Sequence, residues 1–468
     1  MKNIRKQFLK RLLFAGILIG LFNASIHAQP IAGGFSHSIF ICSNGMAMSC
    51  GNNSSGELGN GTTNNDSNLV PVSGLTGVIA VGAGQSHSLF LQNDSTAWSC
   101  GYNGNGALGD GTTISRTIPV QVNTITGIVA ISGGEYHSLF LKSDGTVWAC
   151  GKNQYGQLGD GTTLQRNSPV QVIGLSSIIA IAAGGKHSLF LRSDSTVWAC
   201  GSGSYGELGN GFYGNKDSIP MQISGLTGII AVAAGDQHSL LLKSDGTVWA
   251  CGLNFNGELG DGTTTPRHSP IQVNGLTGIT GIAAGTTNSL FLKNDSTVWA
   301  CGGNGNGQSA DGTLIEHHTA IQSIPTGITK IIAGDWDSYF VKKDGTFWDC
   351  GYNSSGQLGD GTTVEQHIPV LVTPSCQPLS VINHALDETE VYAYPNPFSE
   401  STSLNFKTEQ ENVKLKVFNS TGQLVRCITN LPKGNIIFHR EGLTTGIYFF
   451  EITTENESIK RGKLIVSD

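Results

Sequence analysis

The chain has 468 residues, of which 64 are glycine and 13% are charged, and its formal net charge is −7. A single domain of this length is unusual unless it is built from repeats, and glycine at about twice its ordinary usage argues against long helices. The acidic balance argues against nucleic acid or an anionic membrane as a partner, because both attract basic surfaces.

Residues 1–28 have the pattern of a secretory signal peptide. Five basic residues precede the apolar run Leu12–Phe22, which is too short to span a bilayer, and Ile26-His27-Ala28 forms a small-residue cleavage site before Gln29. Removing this segment with its five positive charges takes the formal charge from −7 to −12. We therefore predict export through the inner membrane, and no other stretch is apolar enough for a membrane span.

One pattern then recurs seven times at a period of about fifty residues. HSLFLQNDSTAWSCG (87–101) and HSLFLKSDGTVWACG (137–151) are two of the copies, and each copy ends in Cys-Gly. The repeat cysteines are Cys50, Cys100, Cys150, Cys200, Cys251, Cys301 and Cys350. This period, filled with strand patterns, predicts an all-β fold, a seven-bladed β-propeller of four-stranded blades.

Each copy predicts four short strands. In residues 131–180, His137–Leu141 and Thr146–Cys150 flank the turn Asp144-Gly145, for which we expect positive φ at both turn residues. Pro169–Val172 follows, and Ile178–Ala182 is apolar without alternation, which places it near the ring axis or between blades.

The two ends of the repeat region complement each other. Pro30–Gly34 is a shortened version of the apolar strand, and Ile368–Val372 has no apolar strand after it. We therefore predict that one blade is completed by both ends.

The pattern A-G-x-x-H-S-L-x-L-x-x-D-G-x-V-W-x-C-G over residues 31–373 resembles the regulator of chromosome condensation repeat, a family of seven-bladed propellers. The domain is assigned to residues 29–376. Members of that family act as nucleotide exchange factors for a small GTPase, as light-sensing dimers or as secreted protein inhibitors. The resemblance therefore implies a protein-binding face and no particular reaction.

A different pattern occupies the C-terminal part of the chain. Residues 377–390 lose the glycines and are predicted to be a linker, and residues 391–468 are predicted to form a small β-sandwich. Its motifs resemble the C-terminal sorting domain of the type IX secretion system of Bacteroidetes. The residues that carry this match are Tyr394, Pro395, Asn396, Pro397, Gly446 and Tyr448. The resemblance implies passage through the outer membrane by that machinery, followed by attachment at the cell surface or release.

Histidine occupies one position of five copies, and Asn288 and Asp337 take that position in the last two. Metal ligation requires convergent donors, whereas a structural hydrogen bond to backbone accommodates all three residue types. The structural interpretation is favoured, and we predict no metal and no cofactor. The five histidines are His37, His87, His137, His187 and His238.

The repeat cysteines are predicted to be buried free thiols, because neighbours on a sevenfold ring are too far apart for disulfide geometry. Cys42 and Cys376 lie near the two ends of the ring and are candidates for a disulfide that clamps it, although free thiols are an equal alternative. Cys427 has no evident partner.

Two further motifs are explained by the repeat. Gly104-x-Gly106-x-x-Gly109 matches the dinucleotide fingerprint, but the helix that this fingerprint requires does not follow. The aspartates of the Gly-Asp-Gly-Thr turns offer one carboxylate each, which favours turn formation over calcium binding. These are Asp110, Asp160, Asp261 and Asp360. With no catalytic motif, we predict that the protein is not an enzyme.

The two residues before each histidine position differ in every blade although the surrounding frame is nearly constant. By symmetry all these pairs emerge on one face, and their mixture of aromatic and charged residues is typical of a protein-recognition surface. The candidate partner-binding residues are Phe35, Gln85, Glu135, Tyr136, Lys186, Asp236, Gln237, Thr286, Asp335 and Trp336. Drift of exposed loops is an equal alternative.

The first hypothesis is a secreted or surface-displayed binding protein that holds a protein or glycan partner on this loop face. The second is an extracellular enzyme, or an accessory domain of one, that uses Glu135, Asp236 and Asp335. Nucleotide exchange on a GTPase is the third, and predicted export argues against it.

Overall fold

The computed structural model describes residues 30–324, 326–373, 392–394, 398–405, 413–419, 423–431, 435–453 and 458–467. The described residues fall into two compact units, one within residues 1–378 and the other within residues 379–468. They form strands and no helices, and none of them belongs to a helical stretch that could cross a bilayer. The predicted signal peptide and linker lie outside the described residues.

The first unit contains seven antiparallel four-stranded sheets, which confirms the predicted seven-bladed propeller. Blade 1 holds β1 (Ile31–Gly33), β2 (His37–Ile41), β3 (Ala47–Gly51) and β4 (Asp66–Pro71). Blade 2 holds β5 (Val78–Ala83), β6 (His87–Gln92), β7 (Ala97–Gly101) and β8 (Arg116–Gln121). Blade 3 holds β9 (Ile128–Gly133), β10 (His137–Lys142), β11 (Val147–Gly151) and β12 (Arg166–Gln171). Blade 4 holds β13 (Ile178–Ala183), β14 (His187–Arg192), β15 (Val197–Gly203) and β16 (Asn215–Gln222).

The remaining blades repeat this order. Blade 5 holds β17 (Ile229–Ala234), β18 (His238–Lys243), β19 (Val248–Gly252) and β20 (Arg267–Gln272). Blade 6 holds β21 (Ile279–Ala284), β22 (Asn288–Lys293), β23 (Val298–Gly302) and β24 (His317–Ile324). Blade 7 holds β25 (Ile328–Ala333), β26 (Asp337–Lys342), β27 (Phe347–Gly351) and β28 (Gln366–Val372).

The prediction that one blade is completed by both ends is wrong. Every propeller sheet consists of four consecutive strands, and β1 and β28 lie in different blades. The apolar strand pairs with the histidine strand that follows it, as in the register Ile31↔Phe40, and even the short β1 is long enough for this. Blade 7 already has its apolar strand in β25, so β28 requires no successor.

The hairpin turn between the second and third strands is also different from the prediction. Gly145 has φ 77°, but Asp144 is not among the residues with positive φ. The Asp144 carboxylate instead accepts a hydrogen bond from Thr146 N at 3.0 Å. Only the second turn position therefore requires the left-handed conformation.

Successive blades are joined at interfaces that we call seams, and histidine is the centre of five of them. Each histidine Nε2 lies 2.9–3.0 Å from a serine Oγ of the next blade, as His137 does from Ser188. Ser188 Oγ donates its own proton to the carbonyl oxygen of Gln157 at 2.8 Å, so it must accept from the histidine. The histidines are structural, as predicted, but their partner is a side chain and not the backbone.

The repeat cysteines fill the same seams. All seven are buried and free, which confirms the prediction of buried thiols. Six of them donate a weak hydrogen bond, 3.3–3.8 Å long, to a carbonyl oxygen of the preceding blade. Burial raises the pKa of these thiols, as for Cys150, and keeps them in the neutral form.

The closing seam, between blades 7 and 1, has a different set of side chains. Asp337 replaces histidine, Tyr339 replaces leucine, and Asp349 replaces a small residue, and all three are fully buried. Tyr339 Oη lies 2.5 Å from Ser38 Oγ, while the carboxyl oxygens of Asp349 have no hydrogen-bond partner. Burial raises the pKa of both carboxyl groups well above the ordinary value, with repulsion from Asp335 as a further cause at Asp337 and repulsion from Asp337 as a further cause at Asp349.

A loop after the third strand of each blade reaches the outer strand of the next blade. In blade 3, Gly161 N donates to Ser218 O at 2.9 Å, and the same bond recurs around the ring. In blade 7, Gly361 N donates to Ser67 O of blade 1 at 3.0 Å. The ring is therefore closed by the same bond that joins its other blades.

The second unit contains two sheets, in agreement with the predicted small sandwich. One holds β29 (Tyr392–Tyr394), β30 (Ser401–Asn405) and β33 (Asn435–His439). The other holds β31 (Val413–Asn419), β32 (Leu424–Leu431), β34 (Gly446–Thr453) and β35 (Ser458–Val466). Buried side chains such as Leu404, Leu415 and Phe450 from both sheets form one core.

Candidate functional site: the mouth of the central channel

The first strand of every blade lines a central channel, which is one of the two positions predicted from its unbroken apolar pattern. The channel contains a cavity of about 390 Å³, and its wall consists mainly of alanine, glycine and β-branched residues. A glycine follows each of these strands, and there the chain turns back into the histidine strand. At Gly84 a Cβ would clash with the imidazole ring of His87, so the tight turn requires glycine at this position.

The variable pairs directly follow these glycines, and the structure brings them to one end of the channel. Backbone hydrogen bonds link neighbouring loops, among them Phe35 N to Gln85 O at 3.3 Å and Thr286 N to Asp335 O at 3.1 Å. This end, which we call the channel mouth, is lined by Phe35, Gln85, Glu135, Lys186, Asp236, Thr286, Asp335 and Trp336. The loop frame is fixed by backbone, and only the side chains differ from blade to blade.

Tyr136 and Gln237, the other two predicted residues, do not line the cavity. The Tyr136 ring packs edge-on against Tyr102 with centroids 5.6 Å apart. Gln237 Nε2 donates to Asp236 Oδ2 at 2.8 Å and so fixes that carboxylate.

Blades 3 and 4 give the mouth a basic and aromatic sector. Glu135 lies between two lysines, with Oε1 3.7 Å from Lys152 Nζ and Oε2 3.9 Å from Lys186 Nζ. Lys216 Nζ lies 4.8 Å from the centroid of the Tyr155 ring, and Lys186 Nζ lies 5.8 Å from it. This sector therefore carries more positive than negative charge.

Blades 5, 6, 7 and 1 give the mouth an acidic and aromatic sector. Asp236 and Asp335 carry its negative charge, and Thr286 between them hydrogen-bonds the Asp335 side chain. Trp336 and Phe35 meet edge to face with centroids 6.4 Å apart, and Phe35 is 40% exposed.

Asp335 is the most perturbed acid of the mouth. Burial, together with repulsion from Asp236 and Glu135, raises the pKa of Asp335 to about 7. Its carboxyl group therefore changes charge near neutral pH, because burial and the neighbouring carboxylates disfavour its charged form.

Sequence reasoning missed Lys152, Tyr155 and Lys216. Lys152 directly follows a repeat Cys-Gly, and its N–H donates to the carbonyl oxygen of Tyr136 at 2.8 Å. The residue after Cys-Gly varies between blades just as the pairs do, so that variation was the available signal. Tyr155 lies in the loop after β11 in blade 3, and Lys216 lies near the start of β16 in blade 4. No local sequence pattern distinguishes either residue.

The turn aspartates have a structural role. Asp110 Oδ1 accepts hydrogen bonds from Thr112 N at 2.9 Å and Asn103 Nδ2 at 3.0 Å, and Asp110 Oδ2 pairs with Arg116 at 2.7 Å. These donors occupy the oxygens that a cation would need, which supports the turn interpretation. Within the described part of the chain, no group of three or more histidine, cysteine, aspartate or glutamate side chains could hold a metal ion.

The remaining predicted residues lie away from the mouth. Cys42 is buried and disulfide-bonded, but Cys376 lies outside the described residues, so their pairing stays a prediction. In the second unit Tyr394 ends β29, while Pro395, Asn396 and Pro397 lie outside the described residues. Gly446 begins β34, and the buried Tyr448 donates its hydroxyl proton to Thr444 O at 2.9 Å.

Family comparisons match both units. The RCC1-like domain matches residues 18–223, and the regulator of chromosome condensation (RCC1) repeat matches residues 229–258, 245–292 and 279–308. The secretion system C-terminal sorting domain matches residues 392–467. No curated protein matches the chain at the sequence level.

Solved structures share the propeller fold. Human WBSCR16 is 22% identical with a TM-score of 0.62, over 68% of this chain and 88% of that one. Prp20p from Saccharomyces cerevisiae, described with its binding properties to Gsp1p and histones, is 22% identical with a TM-score of 0.64, over 72% and 88%. The same yeast protein bound to Kap60 is 21% identical with a TM-score of 0.64, over 75% and 89%. At these identities the likeness concerns the fold alone.

Proposed function

This chain belongs to the regulator of chromosome condensation repeat family and ends in a secretion system C-terminal sorting domain, and on that premise we propose that it is an exported binding protein without enzymatic activity. The sorting domain indicates export by the type IX secretion machinery to the cell surface or beyond. The proposed binding site is the channel mouth, and the proposed partner is a protein or glycan outside the cell.

One observation carries this proposal. A backbone frame that is nearly constant in seven blades places its most variable side chains together around one opening. Aromatic side chains beside charged ones, some of them half-buried, form the kind of surface in which a few residues contribute most of the binding energy. Propellers host unrelated functions on one scaffold, so the proposal depends on these side chains and not on the fold.

A bait experiment tests the proposal. The full chain is immobilised and exposed to cell-surface and culture-medium extracts beside a variant with Phe35→Ser, Tyr136→Ser, Asp335→Ser and Trp336→Ser. A matched control carries Ile179→Ser, Ile230→Ser, Asp194→Ser and Asp245→Ser, which lie at the opposite end of the blades and are exposed. We expect the parent and the control to retain one partner that the first variant loses. Equal capture by all three proteins would refute the channel mouth as the site.

An extracellular enzyme that uses Glu135, Asp236 and Asp335 is the second candidate. It is favoured by the pKa of Asp335 near 7, which burial beside other carboxylates produces and which suits a proton-transfer group. The same bait variant distinguishes the two functions, since a bound partner that emerges chemically changed from the parent alone would support the enzyme. Nucleotide exchange on a cytosolic GTPase does not fit an exported protein.

A further inference from the structure

At and beside the acidic and aromatic sector of the channel mouth, two buried polar atoms have no hydrogen-bond partner, the donor Trp336 Nε1 and the acceptor Gln85 Oε1. Gln85 belongs to blade 2, next to this sector, while within the sector Asp236 and Asp335 add two carboxyl groups, and repulsion from Asp236 contributes to the raised pKa of Asp335. Buried polar atoms in folded proteins almost always have partners, so an unpartnered acceptor beside an open cavity indicates a ligand that donates. Glu135 Oε2 is also unpartnered but already faces the Lys186 ammonium group.

The charge of the ligand follows from the two aspartates. A neutral donor would satisfy their oxygens but would leave their repulsion unchanged, whereas a cation would relieve it. No lysine or arginine side chain is among the residues that line this sector, since Lys186 belongs to the opposite one. The Lys186 ammonium group of the neighbouring blade already faces Glu135 at 3.9 Å, so a second positively charged group would come from a ligand.

The shape of the ligand follows from the cavity and the rings. The cavity of about 390 Å³ admits a slender side chain but not a folded surface. Phe35 and Trp336 form an edge-to-face pair at its rim, and a planar guanidinium group can lie against such rings while it donates to several acceptors.

We propose that the channel mouth binds an arginine side chain of a protein partner, held between the Phe35–Trp336 pair and the carboxylates of Asp236 and Asp335. This inference rests on the proposed binding function and names the chemistry that the face recognises. The guanidinium group donates to Asp236, Asp335 and Gln85, and its charge offsets that of the two aspartates.

Two peptides that differ only in charge test the proposal. A capped Gly-Arg-Gly peptide and its citrulline counterpart are titrated into the full chain by calorimetry, because citrulline keeps the shape of arginine but is neutral. We expect the arginine peptide to bind at least about tenfold more tightly, since a charged hydrogen-bonded pair contributes on the order of a tenfold change or more. Asp335→Asn and Asp236→Asn should each remove most of this preference, while the exposed control Asp194→Asn should keep it.

Equal affinity for the two peptides, or an unchanged preference in Asp335→Asn, overturns the inference. Circular dichroism of each variant shows that a lost preference is not lost folding. If the bait experiment still assigns a partner to the channel mouth, the binding function stands and only its arginine chemistry fails. If an arginine preference is found without any captured partner, the inference holds and the proposed physiological partner class fails.

Discussion

At six of the seven seams a neutral nitrogen donor, histidine or Asn288, meets a serine hydroxyl of the next blade, whereas at the closing seam buried carboxyl groups and a tyrosine occupy that space. The backbone is the same in both cases, and the loop bond from Gly361 to Ser67 matches its counterparts. The propeller frame thus fixes the geometry of a seam but leaves its polar chemistry open. That chemistry decides how the seam responds to pH, because acidification gives an imidazole a positive charge but neutralises a carboxylate.

The largest expected effect is the sensitivity of the five histidine seams to acid. Burial lowers the pKa of His87, His137 and His187 to about 3 and that of His37 and His238 to about 4. Below pH 6.5 these histidines bind protons in the unfolded chain but stay neutral in the folded chain. The free energy of unfolding should therefore fall towards pH 4, by about 1.4 kcal/mol per pH unit for each histidine.

Urea denaturation between pH 7 and 4.5 measures this dependence. His87→Asn, which reproduces the natural Asn288 seam, should flatten it by the contribution of one histidine. A denaturation midpoint that is the same in the parent and in His87→Asn at every pH would contradict the comparison.

A smaller effect is expected from breaking one regular seam at constant pH. His137→Ala removes a fully buried ring and the donor to Ser188, which should cost about 2–4 kcal/mol of unfolding free energy. His137→Asn should cost less, because Asn288 Nδ2 still reaches Ser338 Oγ at 3.4 Å. Urea denaturation at pH 8 gives both values, and equal losses in the two variants would contradict a contribution of the hydrogen bond to Ser188.

The smallest effect, of opposite sign, is expected at the closing seam. Asp349 has no hydrogen-bond partner, whereas Ser49 and Ser99 at the equivalent position donate to the carbonyl oxygens of Leu58 and Leu108 at 2.7 Å. Asp349→Ser should therefore stabilise the protein by about 1–3 kcal/mol at pH 8.

The gain should shrink as the pH falls. Burial raises the pKa of Asp349, so the folded chain keeps a proton at pH values where Asp349 in the unfolded chain has already released it. The free energy of unfolding of the parent therefore falls as the pH rises, and the loss is greatest at alkaline pH. Denaturation of Asp349→Ser at pH 5 and pH 8 measures the difference, with Ala149→Asp in blade 3 as the converse. A variant that is less stable than the parent at pH 8 would refute this account.

The sequence predicted the propeller well because a propeller repeats in sequence as it does in space. The fifty-residue period and the Asp-Gly turns were enough to place blades and hairpins, while the unbroken apolar strand was predicted to lie either near the ring axis or between blades. The position of the variable pairs around one opening followed from the symmetry alone, although their binding role stays a proposal.

Contacts between blades could not be predicted in the same way. The hydroxyl partner of His137 is Ser188, 51 positions further on, and a local pattern does not show which residue of the next blade faces the ring. The same reason explains the errors at the ends, since the pairing of β1 with β2 depends on which neighbour a strand meets. It also explains why Lys216, which contributes its charge next to the Tyr155 ring, was overlooked.

Because every propeller sheet is assembled from four consecutive strands, each blade is encoded by one contiguous segment of the chain. Among the described strands none is shared between the ends of the ring, and Pro30 and Thr373 line one common cavity at the closing seam. A gene rearrangement that joined these ends and opened the chain between two other blades would keep every hydrogen-bonded sheet intact. Exchange of a single blade would replace one variable pair at the rim and leave the others in place.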